Sequence, residues 1–411
     1  MKIHLIAAAR PNFMKIAPLY HALKSEEWAE PVIVHTGQHY DLNMSDVFFT
    51  DLGLPDPGIH LGVGSGSHAE QTGRVMMAYE KVLLENEPDL VVVVGDVNST
   101  VACTLAAVKL PAHSSELIAQ SKTINPANLD IANVEKRNDA EITATIKSYE
   151  LSAMSREPGR PLVAHLEAGL RSFDRTMPEE INRLVTDALA DILWTPSADA
   201  DENLLKEGVS EDKIQRVGNI MIDSLEMLRN KIQTQSAGKD LSLKPQQYGL
   251  VTLHRPSNVD SPKKLRQLFD HLSCISKKIP LVFPIHPRTR KNADSIGILP
   301  KLDQTKKLLI LEPLNYVRFM NLVFNCRFAL TDSGGIQEET TYLGIPCITL
   351  RPNTERPITV SHGTNRLCTI DNLAETVEGV LAEQARQECH IPQWDGKTAD
   401  RVVESIKDFF S

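Results

Sequence analysis

The chain has 411 residues, of which 42% are hydrophobic and 24% are charged, and its formal net charge at pH 7 is −9. This length exceeds what one compact core usually organises, so it predicts two or more domains. The acidic balance excludes nucleic acid as a predicted partner, and no apolar stretch is long enough to predict a membrane span. The six cysteines have no regular spacing, which is typical of reduced thiols, and we expect a cytoplasmic protein.

Short aliphatic runs alternate with helical patterns along most of the chain. The runs are unbroken rather than alternating with polar residues, which is typical of parallel strands buried on both faces. The predicted strands are 2–9, 31–37, 89–96, 161–167, 192–197, 248–254, 280–286, 308–313, 327–333 and 345–351. Helical patterns at 69–86, 98–109 and 262–277 lie between them. This βα repeat predicts an α/β protein built from doubly wound sheets.

The repeat is interrupted at 198–247, where the sequence is polar and broken. We therefore predict a Rossmann-like domain at 1–218 and a second one at 219–392. The last segment, 393–411, contains an amphipathic helix pattern that we expect to return to the first domain.

About fifty residues at 111–158 contain no aliphatic strand run, although connections in such folds are usually two to six residues long. This atypical insertion joins a helix to the next strand and should emerge at the N-terminal edge of the sheet. Ligands bind at the opposite, carboxyl edge. The insertion is therefore expected to affect assembly or regulation rather than chemistry.

Polar residues stand at the carboxyl ends of six predicted strands. Each one alone is explained by a helix cap or a satisfied backbone carbonyl, but parallel strands bring all of them to the same edges. Together they favour a ligand cleft between two sheets that face each other. They are Arg10, Asp96, Glu167, His254, His286 and Asp332 with Ser333.

The segment DSGGIQEE, residues 332–339, follows a strand and opens a helix. Gly334 and Gly335 allow close backbone approach, and the N–H groups at a helix start attract phosphate. Glu338 and Glu339 lie one turn into that helix, where a carboxylate could bind a ribose diol. Arg10 and Lys15, at the first strand–helix turn, form a second patch for an anion. The pattern predicts a nucleoside diphosphate ligand, and no metal-ligand or nucleophile motif accompanies it.

Three carboxylates have positions that suit chemistry. Glu167 and Asp96 end neighbouring strands, and Glu179 begins a helix directly after Pro178. Carboxylates that converge on a nucleotide-linked group suit proton abstraction or oxocarbenium stabilisation.

The order of nine motifs resembles that of the non-hydrolysing UDP-N-acetylglucosamine 2-epimerases, over nearly the whole chain outside 111–158. The motifs are ARPNFMKIAPL, TGQHYD, VVGDVNST, HLEAGLRS, MPEEINR, TLHRP, HPRTRK, DSGGIQEE and TERP. The resemblance implies a GT-B fold, a homodimer without a cofactor and a UDP-sugar substrate. It also implies inversion at C2, by elimination of UDP to a 2-acetamidoglucal and re-addition, and a role in cell-surface polysaccharide biosynthesis.

By motif, the resemblance assigns catalytic roles to Asp96, Glu167, Glu179 and His254 and leaves open which carboxylate removes the C2 proton. Phe319 corresponds to a residue near the base, and His254 also lies on the phosphate side. The other corresponding UDP contacts are Arg10, Lys15, Ser333, Gly334, Gly335, Glu339 and Arg356. A second, activating UDP-sugar site in bacterial members corresponds to the regions of Gln38, His39 and Arg74.

The sequence departs from the family pattern at RPN in the first turn, at HRPSN and at Leu314. These differences leave another UDP-2-acetamido sugar open as the substrate. A GT-B UDP-sugar glycosyltransferase would share the fold and the nucleotide site, and a non-catalytic nucleotide-sugar sensor would use 111–158 as a partner-binding arm. The intact carboxylates favour the epimerase over both.

Overall fold

The structure, a computed structural model, describes residues 1–37, 49–110, 160–299, 307–383 and 386–410. These residues form two parallel sheets with helices on both faces, which confirms the predicted α/β class of two Rossmann-like units. The segments 38–48 and 111–159 lie outside the described residues, and so does the side chain of Arg10.

The first sheet has seven strands in the order β3-β2-β1-β4-β5-β6-β7. Their buried, mostly β-branched or aliphatic side chains suit a sheet that is covered on both faces. The strands are β1 (Lys2–Ala7), β2 (Glu30–His35), β3 (Ile59–His60), β4 (Leu90–Val94), β5 (Leu162–Leu166), β6 (Ile192–Thr195) and β7 (Ile214–Arg216).

The second sheet has six strands in the order β10-β9-β8-β11-β12-β13. All its pairings are parallel. The strands are β8 (Gly249–Thr252), β9 (Leu281–Pro284), β10 (Leu308–Leu311), β11 (Phe328–Thr331), β12 (Cys347–Leu350) and β13 (Asn365–Cys368).

Local signals start several helices. Ser67 and Glu70 form a reciprocal capping box at the start of the helix His68–Asn86, and Pro178 occupies the first turn of the helix Pro178–Leu189. The helices are α1 (Arg10–Lys24), α2 (His68–Asn86), α3 (Asn98–Val108), α4 (Pro178–Leu189), α5 (Ala198–Lys206), α6 (Ile220–Gln233), α7 (Ala237–Asp240), α8 (Pro256–Val259), α9 (Pro262–Lys278), α10 (Pro287–Ser295), α11 (Tyr316–Asn325), α12 (Gly334–Tyr342), α13 (Ile358–Ser361), α14 (Leu373–Ala382) and α15 (Thr398–Phe410).

The predicted interruption at 198–247 is wrong in detail, because the segment contains α5, β7, α6 and α7. The apolar residues of α6 are spread among polar ones on a helical period, so no aliphatic run marks it. Eight residues of α6 are buried, and five of them pack in a cluster that includes both α1 and the second sheet. The short strands β3, β7 and β13 are also absent from the sequence prediction, because they have two to four residues and little aliphatic content.

The last helix, α15, packs on α1 and on the first sheet. Lys407 Nζ lies 2.9 Å from Glu26 Oε2, and Trp194 Nε1 donates to Ser405 Oγ at 2.7 Å. The division at 218 and 392 stays a prediction, and the insertion at 111–158 lies outside the described residues. Among the helices that the structure describes, none is both long and apolar enough to cross a membrane.

Each sheet has a crevice at the point where its strand order reverses, between β1 and β4 in the first sheet and between β8 and β11 in the second. The connections that follow β1 and β4 leave the first sheet in opposite directions, and those after β8 and β11 do the same in the second. Ligands of doubly wound sheets bind at such switch points, beyond the carboxyl ends of the strands.

Candidate active site

Glu167 directly follows β5, and its carboxylate is buried against Lys15 of α1. The backbone of Glu167 is left-handed, with φ +71°, which is uncommon for a residue other than glycine and is typical of functional sites. Lys15 Nζ makes a close ion pair with Glu167 Oε2. The other oxygen, Glu167 Oε1, is buried without a hydrogen-bond partner among the described residues. Glu167 thus has one oxygen held by a cation and one available to a ligand.

Gly95, at the end of β4, leaves the space that this ion pair occupies. Its φ is +69°, and a Cβ built there would lie 3.0 Å from Lys15 Nζ and 3.8 Å from Glu167 Oε2. A glycine is therefore required both by the backbone conformation and by the close approach of the lysine.

The next residue, Asp96, is held by Arg183 of α4. Arg183 Nη2 and Nε donate to Asp96 Oδ2 at 2.8 and 3.1 Å. Asp96 remains about one-third exposed, so its carboxylate faces the cleft while the guanidinium fixes its position. This arrangement can bring a negative charge to a bound ligand without burying that charge alone.

The two adjacent glutamates at the start of α4 have different environments. Glu180 is buried, pairs closely with Arg183, and accepts hydrogen bonds from the backbone N–H groups of Ser172 and Phe173 at 2.8 to 3.1 Å. These contacts hold the loop before α4. Glu179, by contrast, is exposed.

The position of Glu179 is apparent from its effect on Arg255, which follows β8 in the second sheet. Burial and the neighbouring Arg351 lower the pKa of Arg255, and the Glu179 carboxylate is among the charges that oppose this shift. The Glu179 and Arg255 side chains are therefore close enough to interact electrostatically. The other two predicted catalytic carboxylates, Asp96 and Glu167, interact in the same way with Arg356 of the second domain.

A buried network that sequence reasoning missed lies behind these groups. The ring of His165 on β5 lies between Gly95 O, 2.8 Å from Nε2, and Asp187 Oδ1, 2.5 Å from Nδ1. Asp187 Oδ2 lies 2.7 Å from Arg171 Nη1. Burial alone would raise the pKa of Asp187, but the His165 ring and the Arg171 guanidinium lower it below its ordinary value. The network fixes the turn that carries Gly95.

At the switch point of the second sheet, His254 is bound to Asp332. His254 Nδ1 lies 2.9 Å from Asp332 Oδ1, and the His254 backbone N–H donates to the same carboxylate. Burial would raise the pKa of Asp332, but the contact with His254 lowers it below its ordinary value. The fully buried aspartate orients a ring that is itself 39% exposed, and the ring's Nε2 is directed away from Asp332.

Ser333 caps α12, and the glycines that follow open the helix toward the cleft. A Cβ at Gly334 would lie 2.5 Å from Arg356 Nη1 and 2.8 Å from Glu355 Oε1, so the backbone approaches these side chains as closely as glycine allows. Gly335 has open space at the same position. The N-terminus of α12 can therefore receive an anion beside Arg356.

Glu339 and Phe319 lie on adjoining helices. Glu339 is buried and accepts a hydrogen bond of 2.6 Å from the hydroxyl of Tyr316, in the first turn of α11. Phe319, one turn further along α11, is half-buried. The pair offers a carboxylate and an aromatic ring at one end of the cleft.

Arg356 is the cation that connects the two halves. Its Nε lies 2.9 Å from Glu338 Oε1, and its Nη1 donates to Glu355 Oε1 at 2.7 Å. Burial opposes its charge, but the carboxylates of Glu338, Glu355, Glu167 and Asp96 together raise its pKa. One guanidinium of the second domain thus faces the carboxylates at the edge of the first sheet.

Other predicted site residues are not joined to this cluster. Arg74 lies on α2, where Nη2 is 3.6 Å from Glu70 Oε2 and Nη1 donates to Val63 O at 3.4 Å. Gln38 and His39 lie outside the described residues, and so does the side chain of Arg10. Within the described ranges, no group of three or more His, Cys, Asp or Glu side chains is arranged to hold a metal ion.

The chain is similar to a family of known enzymes over most of its length. The sequence model of the UDP-N-acetylglucosamine 2-epimerase family matches residues 21–113 and 153–407. A UDP-N-acetylglucosamine 2-epimerase of Methanocaldococcus jannaschii is 38% identical over 416 residues, which cover 99% of each chain. A UDP-2,3-diacetamido-2,3-dideoxy-D-glucuronate 2-epimerase of Pseudomonas aeruginosa is 34% identical over 412 residues, again 99% of each chain.

A solved structure supports the same relationship. The Methanocaldococcus jannaschii epimerase in complex with UDP-N-acetylglucosamine and UDP superposes with a TM-score of 0.79 at 36% identity, covering 99% of this chain and 100% of that one. The gap between the two matched stretches, 114–152, falls within the predicted insertion. The sequence match, the shared two-domain GT-B fold and the coverage of both domains show that the chain belongs to the UDP-N-acetylglucosamine 2-epimerase family.

Proposed function

We propose that this protein is an isomerase that interconverts UDP-N-acetylglucosamine and its manno epimer, UDP-N-acetylmannosamine. The main support for the proposal is the position of Arg356. This residue belongs to the second domain, but Glu167 and Asp96 of the first domain stabilise its charge. A diphosphate held by this arginine would place the anomeric C–O bond and the adjacent C2 beside the cleft carboxylates.

The proposed chemistry is elimination of UDP followed by its re-addition. The C2 proton is weakly acidic, so its removal needs the C1–O bond to break in the same process. Positive charge then develops on the sugar ring, and negative charge on the departing β-phosphate. Preorganised carboxylates stabilise the first, and cations and N–H donors stabilise the second. Return of UDP to C1 and of a proton to the opposite face of C2 completes the inversion.

The described contacts suggest a division of roles among the carboxylates. The buried Glu167 has one oxygen paired with Lys15 and one oxygen without a partner among the described residues, so it can take or return a proton at that atom. Asp96, held by Arg183, and the exposed Glu179 supply further charge or proton transfer on the same side. The order in which these three act stays open.

For the nucleotide, we propose that the uracil lies near Phe319 and that the ribose hydroxyls bind Glu339. The N–H groups of Gly334 and Gly335 and the hydroxyl of Ser333 would cradle the phosphates with Arg356. His254, oriented by Asp332, would donate from Nε2 to the departing phosphate, and Arg10 would add a further positive charge. Lys15 would serve both the phosphate and Glu167. We propose no cofactor for this reaction.

A second candidate is the 2-epimerisation of a more substituted UDP-2-acetamido sugar. The Pseudomonas aeruginosa relative guides this choice, because the sugar in its name carries acetamido groups at two carbons and it is 34% identical to this chain. The departures HRPSN and Leu314 stand where the sugar and the base would contact the second domain. A glycosyltransferase is disfavoured, because an acceptor reaction does not require three cleft carboxylates.

We further infer that the protein works in the cytoplasm as a homodimer and that its product is used in cell-surface polysaccharide synthesis. We also infer that Gln38, His39 and Arg74 contribute to a second UDP-sugar site. Size-exclusion chromatography with light scattering tests the homodimer, and a mass of 45.6 kDa would refute it.

The test of the reaction is incubation of the purified protein with UDP-N-acetylglucosamine and, separately, with UDP-2,3-diacetamido-2,3-dideoxy-glucuronate, followed by chromatographic separation of the epimers. We expect the manno epimer from the first substrate at the higher kcat/KM. Preference for the second substrate would establish the second candidate. Turnover that depends on an added acceptor would replace the epimerase with a transferase.

A further inference from the structure

Glu338 is a buried carboxylate that the sequence offers, beside Glu339, as a ligand of a ribose diol, but its contacts point to another role. It lies in the first turns of α12, is 1% exposed, and interacts electrostatically with Lys15 and Glu167 of the first domain. Glu338 Oε1 accepts a hydrogen bond of 2.9 Å from Asn219 Nδ2 and lies 2.9 Å from Arg356 Nε. Glu338 Oε2 is buried with no hydrogen-bond partner in the described part of the chain.

A buried anion with one unsatisfied oxygen is costly unless a proton neutralises it. Burial and the nearby Glu167 carboxylate raise the pKa of Glu338, to about 7, although Arg356 and Lys15 oppose the shift. Glu355, the other carboxylate on Arg356, behaves in the opposite way. Its contacts with Arg356 and Arg351 overcome its burial and hold its pKa well below the ordinary value. One arginine therefore has a permanently ionised partner and a second partner that can take up a proton.

Other charged groups on the elements packed against α12 have partners of their own, including Glu226 and Arg229 of α6, which pair with each other. Asp223 of α6 accepts from the backbone N–H of Ala399 at 2.8 Å, and Asp332 after β11 is bound to His254. Arg351, after β12, pairs with Glu355. Two others are Arg366 of β13, paired with Glu383, and His362, which follows α13 and contacts Ser361. Thus Arg356, Lys15 and Glu167 set the charge of Glu338.

We propose that Glu338 is a positioning residue that becomes protonated when the diphosphate of the nucleotide binds. The Arg356 guanidinium then pairs with the phosphates in place of this carboxylate. The proposal rests on the proposed function, because it takes a nucleotide diphosphate as the ligand of Arg356. The proton comes from solvent and adds to a carboxylate oxygen, and no bond of the ligand changes. A protonated Glu338 keeps an acceptor oxygen for Asn219 while it no longer competes for the guanidinium.

Proton uptake by Glu338 makes the affinity for UDP depend on pH in one direction. Ionised Glu338 takes up a proton as the anion binds, so UDP binding weakens as the pH rises above the pKa of Glu338 in the free protein, by up to about tenfold per pH unit. Glu338→Gln is a neutral isostere of the protonated side chain. It should bind UDP with little dependence on pH, and at pH 9 more tightly than the wild type.

The experiment measures the Kd of UDP by titration calorimetry at pH 8 and pH 9, where the terminal phosphate of UDP is already fully ionised. Between these values the wild-type Kd should rise at least fivefold, and that of Glu338→Gln less than twofold. Glu355→Gln is the matched control, since it removes a negative charge from the same guanidinium but should retain the wild-type slope. Equal slopes for wild type and Glu338→Gln, or weaker binding of UDP by Glu338→Gln at pH 9, would overturn the proposal.

A second measurement needs no variant. Calorimetry of the wild type with UDP at pH 8, in two buffers of different ionisation enthalpy, should show uptake of about one proton per UDP bound. Uptake near zero refutes the proton linkage even if Glu338→Gln fails to fold. Absence of UDP binding at any pH refutes the proposed function, whereas binding without a pH slope refutes the role of Glu338 alone.

Discussion

Gly95→Ala tests whether the buried ion pair of Lys15 and Glu167 is part of the catalytic machinery. The new methyl group would lie 3.0 Å from Lys15 Nζ, on a backbone whose φ is +69°. Gly208→Ala is the matched control, because Gly208 has φ +85° and no atom within 4 Å of the position of a Cβ. The two variants share the backbone strain, and Gly95→Ala alone disturbs the ion pair.

The left-handed conformation of an alanine should cost each variant about 1–2 kcal/mol of unfolding free energy. In Gly95→Ala, displacement of the ammonium also weakens a charge-assisted contact worth about 1.5–3 kcal/mol. We expect kcat for epimerisation of UDP-N-acetylglucosamine to fall by about tenfold in Gly95→Ala, because the lysine must move by a few tenths of an ångström and a misplacement of 1 Å costs about 10²-fold. The kcat of Gly208→Ala should stay within about threefold of wild type, the scatter we allow for a surface change.

Denaturant unfolding gives the stability of both variants, and initial rates at saturating substrate give kcat. If Gly95→Ala keeps a kcat within threefold of Gly208→Ala, the Lys15–Glu167 contact does not position a catalytic group. The roles proposed for both residues would then have to be abandoned.

Three further changes separate structural from catalytic groups. Glu180→Gln should lower the unfolding free energy by about 3 kcal/mol. Glu179→Gln should change stability by less than about 0.5 kcal/mol but reduce kcat by about 10²-fold or more. The reverse pattern in thermal melts and initial rates would exchange the roles of the two glutamates. Asp187→Asn should cost about 1.5–3 kcal/mol in denaturant unfolding, since it removes the charged partner of His165 and of Arg171 Nη1 while Glu207 stays paired with Arg171, and a loss under 1 kcal/mol would contradict the buried network. Deletion of 111–158 should leave kcat within a few-fold of wild type, and a folded, correctly assembled but inactive enzyme would refute its placement away from the chemistry.

The sequence is most informative where parallel strands end. It predicts that six polar strand ends share the edges of two sheets, and the order of the strands places His254 and Asp332 together at one switch point. This inference succeeds because unbroken aliphatic runs identify buried parallel strands, and topology then determines where their carboxyl ends meet. Fold class and ligand class follow from the same pattern.

The sequence does not show which charges are buried. Glu179 and Glu180 are adjacent and chemically identical, yet one faces the cleft and the other holds a loop, because a helix turns by about 100° per residue. The partners of Arg356 depend on side-chain packing between domains that are far apart in the chain. His165 carries one usable signal, since a histidine inside an aliphatic strand run is predicted to be buried and must then have polar partners.

The most direct test of the central claim is proton NMR of UDP-N-acetylglucosamine incubated with the protein in heavy water. We expect the manno epimer to appear with deuterium at C2, and we expect deuterium to enter C2 of the recovered substrate as well. Conversion without deuterium at C2 would contradict the removal of the C2 proton by the carboxylates of this cleft.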